Sequence, residues 1–308
     1  MHGKERVMSG ACGILIVNKP GGITSHDVVN RVRRLYGTRQ VGHTGTLDPL
    51  ACGVLAVMVG RAAKAAQYLN CDRKSYRAVL RLGLTSDTED ITGRVLTQSD
   101  RIPDADAVRA VCAGFVGEQM QIPPMYSALK IGGQKLCDLA RRGEQVEREA
   151  REITVYSLTC TPAGDPAEYI LDVSCSAGTY IRTLCADIGA ALGCGGVMKE
   201  LTRTAAGRFT LAEALTLTEL EEMTVEERIA RLLPTEALFA DLPAIALPAF
   251  YERLCRCGCE IYLKKIHVAM DVGQRVRLCN ADGGFFAVGE VGEYADGIAV
   301  KALTLFEL

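Results

Sequence analysis

The sequence predicts an α+β fold in which a mixed, mainly antiparallel sheet is flanked by helices and followed by a small β domain. Several segments alternate apolar and polar residues, as half-buried strands do. Helical stretches lie between these segments without the regular strand–helix repeat of a parallel sheet. The tail from residue 251 onward places glycines between short β-rich runs. A chain of 308 residues, 48% of them hydrophobic, can bury one large core or two unequal ones.

The first half of the chain begins with a short buried strand at residues 13–18, which ends at the turn Lys19-Pro20-Gly21-Gly22. Thr24 or Ser25 can cap the helix that follows, and Gly37 closes it. The apolar stripe of this helix consists of Val28, Val29, Val32 and Leu35. In chain order we then expect an irregular polar loop at 42–49, a strand at 54–59, a short Ala-rich helix up to Leu69 and an alternating strand at 75–84.

The second half predicts further helices and strands before the β-rich tail. In chain order these are a helix at 104–116, an irregular stretch at 119–143, strands at 151–160 and 168–175, a helix at 180–192 and an acidic helix at 219–231. The Pro-containing stretch at 240–250 has the composition of a linker. We therefore expect two domains, residues 1–240 and residues 241–308.

Cysteine usage and hydropathy indicate the compartment. The chain has no run of about 18 apolar residues, so no membrane span is expected. Thirteen cysteines at irregular spacing, without a secretory signal, favour a reduced cytosolic protein. The run Cys255, Cys257 and Cys259 suggests zinc at first sight, but structural zinc ligands usually come as two C-x₂₋₄-C pairs. Incidental cysteines are the better interpretation.

Charge is distributed unevenly along the chain. Residues 1–81 contain 13 Lys and Arg against 4 Asp and Glu, a net charge of +9, while the whole chain carries −2 and the remainder therefore −11. The run Arg31, Arg33, Arg34 and Arg39 contains no acidic residue. A concentrated basic face is typical of a polyanion-binding site, and a solvated surface is the alternative that charge alone leaves open.

The loop GHTGTLDP at residues 42–49 is the strongest candidate for a functional site. Pro49 removes a backbone donor and biases Asp48 toward extended geometry, while Gly42 and Gly45 permit a tight path. Such a loop can present a carboxylate in a cleft. An Asx turn, which Asp before Pro often forms, explains the same residues without a function.

Six segments, in order, resemble the TruB family of pseudouridine synthases. They are GILIVNKPGGITSHDVV, GHTGTLDPLACGVLAVMVGRAAK, KSYRAVLRLGLTSDTEDITG, QIPPMYSALKIGGQKLCDLARRG, SAGTYIRTLCADIG and ELTRTAAGRF. They span roughly residues 13–210, and the tail GQRVRLCNADGGFFAVGEV is similar to the PUA-like tail of some bacterial members. The resemblance implies a pseudouridine-synthase fold with a PUA-like RNA-binding domain, and it favours the functional interpretation of Asp48.

The family pattern implies a role for each matched residue. Asp48 corresponds to the catalytic carboxylate, Arg182 to the arginine that pairs with it and Tyr76 to the tyrosine that stacks on the target base. His43 corresponds to the histidine that supports the flipped nucleotide, and Tyr180 to a pocket wall. Lys19, Pro20 and Leu201 match positions that build the floor and wall of the pocket. Residues 176–177, Ser-Ala where the family usually has Ser-Lys, and Cys137, where an aromatic is common, depart from the pattern.

The activity implied by the resemblance is isomerisation of the T-loop uridine, position 55, of tRNA. It requires neither cofactor nor metal, and the expected partner is the T-arm stem-loop of tRNA rather than DNA or a membrane. We expect a cytoplasmic monomer without an obligatory protein partner. A guide-RNA-dependent synthase would carry a fuller PUA domain, and a non-catalytic tRNA-folding module would not need Asp48, Tyr76 and Arg182 together.

Overall fold

The computed structural model describes residues 11–67 and 73–306. Within these ranges the strands form a nine-stranded sheet, a five-stranded sheet near the C-terminal end and two small hairpins. The strands are β1 (Gly13–Lys19), β2 (Val41–His43), β3 (Cys52–Val59), β4 (Arg73–Leu82), β5 (Leu84–Ser86), β6 (Val95–Gln98), β7 (Gly117–Gln121), β8 (Lys130–Ile131), β9 (Gln134–Lys135), β10 (Arg151–Pro162), β11 (Glu168–Ser176), β12 (Gly196–Ala206), β13 (Phe209–Thr210), β14 (Ala244–Ala246), β15 (Ile261–Tyr262), β16 (Arg275–Cys279), β17 (Phe285–Tyr294) and β18 (Gly297–Leu305).

Helices connect these strands and cover the sheets. They are α1 (Ser25–Leu35), α2 (Ala105–Ala113), α3 (Leu136–Arg141), α4 (Ile181–Ala191), α5 (Leu217–Glu222), α6 (Val225–Ala230), α7 (Ala249–Arg256) and α8 (Leu263–Ile266). Segments Gly60–Gln67, Leu211–Glu213 and Thr235–Phe239 are 3₁₀ helices. The Ala-rich segment predicted up to Leu69 is therefore 3₁₀ rather than α-helical, and Leu69 itself lies outside the described residues.

The large sheet runs in the order β1-β3-β12-β4-β11-β10-β7, with β2 beside β3 and β13 beside β12. Among the described strands of this sheet, β12 and β3 form the one parallel pair. Every other pairing in it is antiparallel. The predicted α+β fold with a mixed, mainly antiparallel sheet is confirmed.

Strand β4 lies at the centre of this sheet because its alternating sequence gives it one fully apolar face. Tyr76, Ala78, Leu80 and Leu82 are at most 8% exposed and pack with residues of α2 and α4 in the main core. Arg77 points outward from the opposite face. Since β4 pairs with β12 on one side and β11 on the other, the position of Tyr76 is fixed by both neighbours.

Helix α1 covers the other end of the sheet. Thr24 accepts a hydrogen bond from the Asp27 amide, and the Asp27 carboxylate accepts from the Thr24 amide, which completes a capping box. Val28, Val29 and Val32 are buried against β1 and β3. The helix therefore begins at a defined residue, directly beside the loop that carries Asp48.

Three local predictions were wrong. The acidic segment 219–231 forms two helices, because Thr224 caps α6 after α5 has ended. Residues 119–143 contain β7, the β8–β9 hairpin and α3 rather than an irregular stretch. Within the expected linker 240–250, residues Ala244–Ala246 form β14, which pairs in parallel with β16 at the edge of the five-stranded sheet.

The five-stranded sheet, ordered β14-β16-β17-β18-β15, packs against the main domain through an apolar cluster. Phe239, Phe285 and Phe306 pack together in this cluster at centroid distances of 5.5–5.7 Å, with the rings of Phe285 and Phe306 stacked and that of Phe239 tilted against both. Met58 of β3 and Ala62 contribute from the main domain. The division into residues 1–240 and 241–308 stays a prediction. No described helix is long and apolar enough to span a bilayer.

Candidate functional site

The loop that carries Asp48 connects β2 to β3 and is held by hydrogen bonds on both sides. The Ser25 hydroxyl of α1 accepts from the Leu47 amide and donates to the Leu47 carbonyl, at 2.9 and 3.0 Å. The Gly22 amide donates to the Pro49 carbonyl at 2.8 Å. Gly45 has a φ of +76°, which L side chains rarely adopt. The loop is therefore a defined structure rather than a mobile connection.

Asp48 forms a two-pronged ion pair with Arg182 at the start of α4. Arg182 Nε lies 2.9 Å from Asp48 Oδ2, and Arg182 Nη2 lies 3.4 Å from Asp48 Oδ1. The Arg182 side chain is 5% exposed, whereas that of Asp48 is 37% exposed. The guanidinium is thus sealed behind the carboxylate, which remains open to a ligand.

The remaining Arg182 donors bind backbone carbonyls. Nη1 donates to the Thr88 carbonyl at 3.0 Å and Nη2 to the Tyr126 carbonyl at 2.7 Å. Glu89, next to Thr88, has a φ of +62°, and its carboxylate accepts a hydrogen bond from the Thr183 hydroxyl at 2.5 Å. Arg182 therefore ties three separate segments of chain to Asp48.

Burial and the charge of Arg182 shift the pKa of Asp48 in opposite directions. Burial raises the pKa of Asp48 above its ordinary value, and the nearby Arg182 guanidinium opposes this rise. The carboxylate of Asp90, which is itself buried, adds to the rise in the pKa. A poorly hydrated carboxylate beside a guanidinium suits attack on, or stabilisation of, an electron-poor carbon.

Asp48 and Arg182 lie where two cavities meet. The smaller cavity, of about 250 Å³, contains Tyr76, Tyr180 and Leu201 in its wall. The larger cavity, of about 760 Å³, is bordered by His26 and by residues of the 126–141 segment. The residues common to both walls are Thr46, Leu47, Asp48, Ser127, Ala128 and Arg182. A ligand can thus occupy both cavities while its central part contacts Asp48.

The structure brings most of the expected site residues together. Tyr76, Tyr180 and Leu201 join Asp48 and Arg182 around the smaller cavity, and His43 lines the larger one. Burial raises the pKa of the Tyr76 phenol, so the hydroxyl is protonated at neutral pH. Burial lowers the pKa of His43, and the charge of Arg203 contributes to the decrease, so the imidazole is neutral.

Lys19 and Pro20 line neither cavity. The Lys19 side chain is fully buried, and its ammonium donates to the carbonyls of Pro20, Ile23 and Pro49 at 2.9, 2.6 and 3.4 Å. Pro20 is exposed at the turn after β1. Lys19 therefore supports the loop after Asp48 from outside the cavities, and neither residue forms the expected floor or wall.

Sequence reasoning missed Arg203 of β12, although it stands in the matched segment ELTRTAAGRF. Its side chain is fully buried, with Nε donating to the Val54 carbonyl at 2.7 Å and Nη2 to the Gly45 carbonyl at 3.1 Å. Arg203 faces Tyr76 across the β12–β4 pair. A buried arginine flanked by polar residues gives little sequence signal, because its burial depends on strands far away in the chain.

Several arginines of the basic segment have acidic partners. Arg77 pairs with Asp172 at 2.8 Å, Arg81 with Asp165 at 2.6 Å and Arg31 with Glu221 at 3.4 Å. The +9 charge of residues 1–81 therefore does not form one uncompensated face. Acids from β11, from the turn before it and from α5, all distant in sequence, neutralise part of this charge.

Comparison with known proteins agrees with this arrangement. The family model "TruB family pseudouridylate synthase (N terminal domain)" matches residues 33–181, and "tRNA pseudouridylate synthase B C-terminal domain" matches residues 182–240. tRNA pseudouridine synthase B of Alkaliphilus oremlandii is 46% identical over 250 residues, which cover 81% of this chain and 83% of the relative. The protein of the same name from Burkholderia mallei is 43% identical over 283 residues, covering 91% and 93%.

A solved structure shows the same fold over nearly the whole chain. A chain of the Cbf5-Nop10-Gar1 complex is similar with a TM-score of 0.73 and 26% identity, and the match covers 99% of this chain and 88% of that one. The fold and these relatives define an isomerase that acts on RNA. The chain belongs to the TruB family of pseudouridylate synthases.

Proposed function

We propose that this enzyme converts the T-loop uridine of tRNA, position 55, into pseudouridine, with Asp48 as the catalytic carboxylate and without a cofactor. The observation that carries the proposal is the ion pair between the buried Arg182 guanidinium and the partly exposed Asp48 carboxylate at the junction of two cavities. Both curated relatives are named tRNA pseudouridine synthase B, which supports tRNA as the substrate.

The chemistry needs a carboxylate at this place. The bond between uracil N1 and ribose C1′ breaks, the base turns within the pocket, and C5 bonds to the same ribose carbon. C5 loses its proton and N1 gains one, so the atoms balance. Substrate and product are isomers, so the reaction consumes no energy source. Glycosidases use a carboxylate beside the anomeric carbon to cleave the corresponding bond. Asp48 takes that position, and Arg182 keeps it ionised.

The smaller cavity receives the uracil ring in this proposal. The flat, buried ring of Tyr76 stacks on the base and tolerates its rotation, while Leu201 and Tyr180 form the walls. The phenol of Tyr76 is also the candidate group to take part in transfer of the C5 proton. Asp48 stands at the mouth of the cavity, where ribose C1′ would lie.

The larger cavity receives the RNA loop around the target nucleotide. A uridine inside a folded loop must be flipped out to reach a carboxylate that lies within a cavity. Neutral His43, on the wall of the larger cavity, supports the flipped state. Residues 241–308 add contacts to the stem of the T-arm. The enzyme works in the cytoplasm as a monomer that holds one RNA arm.

Asp48→Asn tests the function directly. The variant keeps the shape of the side chain and should fold and bind a T-arm RNA, but it should form no detectable pseudouridine when the modified nucleotide is mapped after incubation. Activity within about tenfold of the unaltered enzyme would contradict the role of Asp48, since tenfold is only about 1.4 kcal/mol of barrier.

Asp172→Asn is the matched control. Asp172 also forms a two-pronged pair with an arginine, Arg77, at 2.8 and 2.9 Å, but on the exposed face of the sheet. Its substitution should leave pseudouridine formation unchanged.

If an RNA without a T-arm sequence were modified equally well by the unaltered enzyme, position 55 of tRNA would not be its specific substrate.

A guide-RNA-dependent mode finds less support. The similar chain of the Cbf5-Nop10-Gar1 complex belongs to a multiprotein assembly and is 26% identical to this chain, whereas the relatives named for tRNA are 43–46% identical. We propose activity without an obligatory protein partner, and modification of a T-arm RNA by the purified chain alone distinguishes the two modes.

A further inference from the structure

Ser127 occupies an unusual position between the two cavities. It belongs to both cavity walls, beside Asp48 and Arg182, and is 5% exposed. Its hydroxyl oxygen is buried, and among the described residues it has no hydrogen-bond partner. Buried hydroxyls normally have a partner, because desolvation without a hydrogen bond is costly. An unpaired hydroxyl at a ligand site is therefore a candidate for pairing with the ligand.

The backbone on both sides of this hydroxyl is held in place. The Tyr126 carbonyl accepts from Arg182 Nη2 at 2.7 Å, and the Ser127 carbonyl accepts from the Cys137 amide at 3.0 Å. The first contact links Ser127 to the guanidinium that holds Asp48. The second links it to the start of α3. Ser127 thus has a set position relative to the carboxylate.

Arg182 has few hydrogen-bond donors left for the uracil base. Its Nε and Nη2 bind Asp48, while Nη1 and Nη2 bind the Thr88 and Tyr126 carbonyls. The faces of the uracil ring can contact Tyr76 and Leu201. These contacts do not provide a hydrogen bond to a uracil carbonyl oxygen, which lies in the plane of the ring. A short hydroxyl beside Asp48 can donate to that edge.

We propose that the Ser127 hydroxyl donates a hydrogen bond to a carbonyl oxygen of the flipped uracil, which makes Ser127 a substrate-binding residue. The inference rests on the proposed function. Exchange of N1 for C5 turns the base about the axis through N3 and C6, which exchanges the two carbonyl groups at C2 and C4. A donor that meets one carbonyl before the turn meets the other afterwards. One hydroxyl can thus hold the base in both orientations.

Ser127→Ala tests this contact. The variant should lower kcat/KM for a T-arm RNA about tenfold, the effect of one lost hydrogen bond. Its thermal stability should stay unchanged or rise, because the substitution removes an unpaired buried hydroxyl from the free protein. Ser127→Thr retains a hydroxyl and should recover part of the activity.

Ser174→Ala is the matched control, because Ser174 is also a buried serine but accepts a hydrogen bond from Arg73 at 2.7 Å and lies outside both cavities. This variant should lose stability and keep kcat/KM. If Ser127→Ala loses stability instead and keeps kcat/KM, the hydroxyl has a structural role and the inference is wrong.

Combining Ser127→Ala with altered substrates identifies the uracil atom that the Ser127 hydroxyl contacts. T-arm RNAs with 2-thiouridine or 4-thiouridine at the target position replace a carbonyl oxygen with sulfur, a weaker acceptor. The unaltered enzyme should be more sensitive to these replacements than Ser127→Ala. Equal sensitivity of both enzymes to both RNAs would overturn the inference. Failure of the unaltered enzyme on the natural T-arm would instead overturn the proposed function.

Discussion

At the scale of single residues, the site depends on how burial and a neighbouring guanidinium balance at one carboxylate. Burial raises the pKa of Asp48, and Arg182 counteracts the rise through a two-pronged contact. Arg182 also holds the Thr88 and Tyr126 carbonyls, so it links the electrostatics of the site to its shape. A lysine has one charged nitrogen and cannot reproduce this geometry.

Arg182→Lys should therefore change the pH dependence of the reaction. In the proposed function Asp48 acts as the ionised carboxylate, so activity should fall as the pH decreases through its raised pKa. With a weaker counter-charge that pKa rises further, and the acidic limb of kcat/KM should move to higher pH. The measurement is a pH–rate profile on T-arm RNA. Arg77→Lys, which alters the exposed pair with Asp172, should leave the profile in place; a shared shift would indicate a general charge effect.

At the scale of elements, helix α1 both holds the Asp48 loop and carries three arginines of the basic segment. Its first turn holds the Asp48 loop through Ser25, and Arg31, Arg33 and Arg34 follow toward its C-terminal end. Arg31 pairs with Glu221 and Arg33 bonds to Asn30, whereas Arg34 is exposed. The distribution of charge along the sequence thus overestimates the positive charge of this surface, because it cannot show which acidic residues pair with the arginines in the fold.

Replacing Arg31, Arg33 and Arg34 with Gln should weaken RNA binding and flatten its salt dependence. Each phosphate contact contributes a slope of roughly −0.7 to −0.9 in log K against log salt, so losing two or three contacts reduces the slope by about 2. Binding titrations at several salt concentrations measure it. Gln at Arg77 and Arg81, which pair with Asp172, Asp165 and Glu168, should have a smaller effect. A larger effect from the Arg77 and Arg81 replacements than from those in α1 would place the RNA on the face of the sheet that carries Arg77 and Arg81.

At the scale of the whole molecule, the two sheets share an apolar cluster. Phe239, Phe285 and Phe306 meet there with Met58 of β3, the strand that follows the Asp48 loop. The C-terminal strands are therefore anchored on the same strand that ends the functional loop. Contacts of this kind favour a fixed placement of residues 241–308 relative to the site.

Phe239→Ala should lower the free energy of unfolding by about 3 kcal/mol, as large-to-small changes in a core do. Chemical denaturation followed by fluorescence or circular dichroism measures it. Phe250→Ala provides the comparison, because Phe250 is 58% exposed and its loss should cost no more than about 0.5 kcal/mol. Equal, small effects of both substitutions would show that the cluster contributes little to stability.

The sequence by itself determined much of the local structure. Alternation at residues 75–84 predicted the buried face of β4, and the segment from Thr24 to Gly37 predicted α1 with its apolar stripe. Ordered motifs identified the family, and the α+β class was correct. These features depend on periodicity, capping and short motifs, which lie within a few residues of chain.

Only the tertiary structure decided which distant groups meet. The pairing of Arg182 with Asp48 was expected from the family, but its extra bonds to the Thr88 and Tyr126 carbonyls appear only in the fold. Burial of Arg203 beneath Gly45, the ammonium of Lys19 on three carbonyls and the unpaired hydroxyl of Ser127 likewise have no local pattern. Burial and hydrogen-bond satisfaction depend on strands and loops that are remote in sequence, so no short window of residues contains them.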